Sequence, residues 1–228
     1  MFRLLFLVAP AALAVMGTTA SGEPEIGSRI DRAPGAVQSV ESEDQATARR
    51  VMRTFAGCVV RSRQRWAEGA LELPLQSPEQ NRYVQSGLGG IENCMGYSGL
   101  ELRFRPPSIV GGMAEELIAM RYRSANIAAI AQMTDENLEA LGLVARNGNE
   151  DFALCVVRRD PSAVREFLAT RPASPPEREQ VGRIVPHLGA CLYQGQTLDL
   201  SVRALRILLA PSLYRALVTV TAVPAAGN

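Results

Sequence analysis

The sequence predicts an all-α fold made by tandem duplication of a three-helix unit, each copy stapled by one disulfide. Three observations lead there. Phe55-Ala56-Gly57-Cys58-Val59-Val60-Arg61 reappears as Phe152-Ala153-Leu154-Cys155-Val156-Val157-Arg158, with six identities in seven. The second cysteines keep the same register, since 155 − 58 = 97 and 191 − 94 = 97. Apolar residues along each copy recur at three- and four-residue spacing, the period of an amphipathic helix. Phe55, Val59 and Arg61, with Phe152, Val156 and Arg158, are the signature of the repeat. Two copies make a duplicated domain and not a long solenoid.

In chain order, Arg3 supplies a short positive region and Leu4 to Val15 an apolar run. Thr18-Thr19-Ala20 resembles a signal peptidase site, so residues 1–20 read as a cleaved signal peptide. The run is too short to span a bilayer, which takes roughly 20 apolar residues. The expected location is periplasmic or secreted. Residues 21–44 mix Gly, Pro, Ser and charge without apolar periodicity and read as a flexible linker.

Copy one is expected over residues 45–123. Val51, Phe55, Val59, Ser62 and Trp66 form one stripe of its first helix. Ser77-Pro78-Glu79-Gln80 carries the signals of a second helix start: a serine N-cap, proline at the first helical position and a capping-box glutamine. Val84, Leu88, Ile91 and Met95 make the expected apolar face of that helix. The extended triplet Leu100-Glu101-Leu102 then leads into a third helix over 107–122, weakened by Gly111-Gly112.

Residues 124–148 form a helical connector, with a start at Thr134-Asp135-Glu136-Asn137 and a turn at Asn147-Gly148-Asn149. Copy two, residues 149–220, repeats the pattern with Asp160-Pro161 interrupting its first helix. Ser174-Pro175 starts the second helix, whose face is Val181, Val185, Leu188 and Leu192. Leu198-Asp199-Leu200 leads into a third helix from Ser201 to Val218. Asp199, Arg203, Arg206 and Arg215 make this leucine-rich stretch a core helix and not a span, since a central arginine costs about 2.5–3.5 kcal/mol on insertion scales. Residues 221–228 read as a flexible tail. No transmembrane helix is expected in the mature chain.

An oxidising compartment makes disulfides the default fate of four cysteines. A single ancestral copy would have held one pair, so Cys58–Cys94 and Cys155–Cys191 are the economical pairings. Cys58 lies about 60° from Phe55 around its helix, and Cys94 and Cys191 about 80° from Val84 and Val181, so facing helices bring these shoulders together. Zinc sites need cysteines two to four apart or clustered histidines, and redox pairs need Cys-x-x-Cys. Neither pattern occurs, so no metal and no cofactor are expected.

The chemistry-bearing residues do not converge. Removing Arg3 with the signal leaves 24 − 1 = 23 basic against 23 acidic residues, a balance that argues against nucleic-acid binding. All 24 basic residues are arginine, which excludes Schiff-base and Walker-type phosphate chemistry. The single histidine, His187, lies about 120° from Val181 around its helix and reads as a surface residue. Glu115-Glu116 and Asp135-Glu136 are adjacent pairs that diverge, and read as solvated faces or first-turn acids. Glu101 and Asp199 occupy matching positions in the two copies, each in an extended Leu-acid-Leu triplet whose acid faces solvent or meets Arg105 and Arg203, and nothing places a substrate between them. Gly87, Gly89 and Gly90 do not form a nucleotide-binding loop, and Gly96-Tyr97-Ser98-Gly99 misses the nucleophile-elbow spacing. Trp66 sits on an apolar stripe and reads as core. No catalytic residue is expected. The sequence favours a non-enzymatic structural or interaction module of the cell envelope, meeting an envelope protein. The alternative is a binder of a small apolar molecule or lipid in the space between the copies, and a hydrolase centred on His187 is the third reading.

Overall fold

The computed structural model describes residues 42–94, 104–193 and 200–222, which are all helix, turn or connection and include no strand. The signal peptide, most of the linker, Met95, the triplet around Glu101, Asp199 and the last six residues lie outside the described residues.

Helix α1 spans Glu43–Ser62 and opens on a capping box, in which Ser42 accepts from the Gln45 N–H and the Gln45 side chain accepts from the Ser42 N–H. Glu43 and Asp44, assigned to the linker by sequence, form its first turn, where acids suit the helix dipole. The expected single helix through Trp66 is broken at Arg63, and α2 follows over Gln64–Glu72. On α1 Val51 is exposed, and Phe55, Ala56, Val59 and Val60 form the buried face. Helix α3 (Pro78–Ser86) is shorter than expected, and Leu88 falls in the loop before a 3₁₀ turn at Glu92–Cys94. Helix α4 spans Pro106–Arg121.

Short helices α5 (Ala128–Ala131) and α6 (Asp135–Ala140) form the connector. Then come α7 (Gly148–Arg159), α8 (Pro161–Ala169), α9 (Pro175–Leu188), a 3₁₀ turn at Gly189–Cys191 and α10 (Val202–Ala222). Polar caps open several helices, from Ser77, Thr134, Asn147, Asp160 and Ser174. On α9 the expected Val185 is 41% exposed, and Ile184 takes the buried position beside Val181.

Element bounds recur at a spacing of 97. Helices α2 and α8 begin and end 97 residues apart, as do the two 3₁₀ turns, and α1 and α7 end 97 residues apart. Gln76 and Ala173 are also 97 apart, and both hold positive φ, at 59° and 58°. A left-handed backbone costs an ordinary side chain about 1–2 kcal/mol, so the same strained turn at matched positions reflects one shared loop geometry.

Helix α10 is central, packed chiefly against α4 and α7 with α8 and α5 beside it. It is long and apolar enough to cross a membrane by length and composition, yet 61% of its apolar window is buried inside the protein. Gly111 and Gly112 lie inside the unbroken α4 and let it approach its neighbours. A Cβ at Gly111 would stand 3.1 Å from the Ile207 Cα of α10, and one at Gly112 would stand 2.7 Å from the Ala56 Cβ of α1.

Candidate functional site

Both disulfides join the end of one helix to a 3₁₀ turn. Cys58 pairs with Cys94, and Cys155 with Cys191, at Cα separations of 5.6 and 5.7 Å. The signature residues surround them: Phe55, Val59, Phe152 and Val156 are buried, while Arg61 pairs with Glu116 and Arg158 with Asp135. Asp135 is thus a first-turn acid, as its position suggested.

Charge is concentrated inside the protein at two places. Arg206 projects from α10 and is 5% exposed. Its Nε and Nη2 reach the two oxygens of Glu115 on α4 at 2.8 and 3.2 Å, a bidentate fork. Its Nη1 donates to Glu177 on α9 at 2.7 Å, and Nη2 also donates to the carbonyls of Leu168 and Thr170 at 2.8 and 2.9 Å. Arg53 of α1 adds an ion pair to Glu115, and Arg49 of α1 adds one to Glu177. The Arg206 guanidinium lies 5.0 Å from the centre of the Phe167 ring. Burial works against its charge, but Glu115 and Glu177 outweigh that and raise its pKa above the usual arginine value.

The second centre gathers around Glu150, which is 2% exposed near the start of α7. It accepts from the Leu75 N–H at 2.8 Å, from Arg146 Nη2 at 2.6 Å and from Arg215 Nη1 of α10 at 3.0 Å. Arg146 reaches across to the carbonyls of Glu72 and Leu73 at the α2–α3 turn. Burial presses the Glu150 carboxyl upward, but the bonds from Arg146 and Leu75 and the Arg215 charge hold it below the ordinary carboxylate value.

Glu115 corrects the sequence reading. At 6% exposure it is a buried partner of Arg206 and not a solvated acid, whereas its neighbour Glu116 is partly exposed. Arg206 itself was read only as an obstacle to membrane insertion. The available signal was an acid inside the apolar stretch Ile109 to Met120, because a carboxylate on a buried helix face needs a cation.

The remaining candidates stay apart. His187 Nε2 stands 3.8 Å from Asp160 Oδ2, beyond hydrogen-bond range, and Asp160 Oδ1 caps α8 by accepting from the Ala163 N–H. Trp66 is half-buried, stacked 6.1 Å from Tyr83 with Arg63 5.3 Å from its ring centre, so both contacts are intramolecular. No group of His, Cys, Asp and Glu able to hold a metal occurs among the described residues. A surface depression of about 350 Å³ is lined by Arg105, Ser201, Arg203, Ala204 and Ile207. Comparison with protein-family models, with curated proteins and with solved structures finds no match to this chain.

Proposed function

We propose that this chain is an exported, internally duplicated helical module that acts as a structural or interaction component of the cell envelope, without catalysis. The observation that carries this reading is how the buried acids are used. Glu115, Glu150 and Glu177 are each held by two arginines, which fixes these three as scaffold and leaves none of them poised as a general acid or base. Shared helix bounds, shared disulfide spacing and matched positive-φ turns support a duplication whose unit is the run from α1 to α4, with α7 to α10 as its second copy. Its first helix is split in both copies, at Arg63 and Asp160, so the unit has four helices where three were expected. Two disulfides are compatible with an oxidising extracellular compartment.

Native mass spectrometry of the full chain, recovered from the envelope fraction of its own host, tests the reading. A reproducible complex with a defined envelope protein is the expected result. A bound molecule of small mass would favour the alternative of a small-ligand or lipid binder. Hydrolysis of ester, peptide or glycoside substrates that is lost in His187→Ala would overturn the non-catalytic reading.

A further inference from the structure

We propose that the depression lined by Arg105 and Arg203 binds a phosphate group, carried by a soluble ligand or by a lipid headgroup. This inference does not depend on the module reading.

Arg105 immediately precedes α4, and Arg203 lies in the first turn of α10. The two positions are 98 apart, the offset at which Leu100-Glu101-Leu102 meets Leu198-Asp199-Leu200, and the fold brings both arginines to one cavity. Both are exposed, and among the described residues neither is paired with a carboxylate. Arg203 spends one Nη2 bond on the Ser108 hydroxyl at 2.9 Å, a neutral partner that orients the guanidinium without cancelling its charge. Two guanidiniums line one depression, neither paired with a carboxylate among the described residues, and an anion placed between them gains from both charges.

The chemistry of the lining selects the anion. A guanidinium presents a planar fork of donors that matches phosphate oxygens two at a time. Ser201 adds a hydroxyl to the lining, and Ala204 and Ile207 add apolar surface. The volume, about 350 Å³, falls in the range of small-molecule sites and admits a phosphate with a small organic group attached. A lining of arginine together with apolar side chains suits a phosphoester, whose anionic head and carbon-bearing tail differ in the same way.

The test uses the full chain in low-salt buffer with three probes: pyrophosphate by titration calorimetry, and vesicles of pure phosphatidylcholine or of phosphatidylcholine with phosphatidylglycerol by cosedimentation. Saturable binding of pyrophosphate, weakened about tenfold in Arg105→Gln and in Arg203→Gln and further in the double variant, is expected from losing one charge-assisted contact at a time. Arg178→Gln, an exposed arginine on α9, should leave binding unchanged and controls for general charge. Cosedimentation with phosphatidylglycerol vesicles alone, lost in the double variant, would assign the phosphate to a lipid; pyrophosphate binding without vesicle binding would assign it to a soluble ligand. Equal binding by the double variant and the parent, with matching circular-dichroism melting curves, would overturn the proposal. So would an absence of binding to every phosphate probe.

Discussion

At the α2–α3 turn, one carboxylate from the C-terminal run, Glu150, takes the Leu75 N–H and two arginines. At the α8–α9 turn, arginines from α1 and α10 meet two carboxylates, and Arg206 donates to the carbonyls of Leu168 and Thr170. Both turns are therefore clamped by residues from elsewhere in the chain, through matched positions. Arg49 and Arg146 are 97 apart and each reaches the opposite turn, but the positions of Arg53 and Glu150, also 97 apart, carry opposite charge. Inside the turns, Gln80 accepts from the Gln76 N–H at 2.7 Å, and Glu177 accepts from the Ala173 N–H at 2.8 Å. A neutral amide suffices at Gln80, where no arginine arrives, whereas Glu177 must answer Arg49 and Arg206. The backbone problem is the same at both turns, and the charge around it decides the side chain.

The largest expected effect separates the centres. Arg206→Ala leaves two buried carboxylates with only Arg49 and Arg53, and should cost about 3–5 kcal/mol in urea unfolding. Arg215→Ala leaves Glu150 with Arg146 and the Leu75 N–H, and should cost less, about 1.5–3 kcal/mol for one charged hydrogen bond. Equal losses would show that the two centres are energetically alike. Next come the disulfides. Both close a separation of 36 residues, so Cys58→Ser with Cys94→Ser should cost about 3–4 kcal/mol, and Cys155→Ser with Cys191→Ser the same.

Glu150 gives a pH signature. Its folded pKa lies below the unfolded value of about 4.5, so its contribution is complete above that pH and is lost as pH falls through the folded value. Glu150→Gln should cost about 2 kcal/mol at neutral pH and flatten the stability profile below pH 4.5. A profile unchanged in the variant would remove Glu150 from the account. The smallest effect tests the shared strain: Gln76→Gly and Ala173→Gly should each raise stability by about 0.5–1 kcal/mol, and by similar amounts, because glycine accepts positive φ freely.

Local signals carried most of the fold. Ser77, Thr134, Asn147 and Ser174 announce helix starts because a cap bonds within three residues, and that information is contiguous in sequence. The break at Arg63 carries no proline or glycine; Arg63 donates to the carbonyls of Gly87 and Gly89, partners more than twenty residues away that nothing local announces. Val185 was expected inside because it is apolar at the right spacing; Ile184 beside it fills the space instead. The ionic centres were least legible. Glu115 and Arg206 are 91 residues apart, and nothing local marks either as the other's partner.

The position of α10 bears on when this protein can finish folding. It is the last described helix in chain order, yet α4, α5, α7 and α8 all pack against it. Until it is available, the apolar faces of α4 and α7 lack their main neighbour, and Glu115, Glu150 and Glu177 each lack one of their two arginines. The buried face shared by α4 and α7 is therefore complete only once α10 is in place.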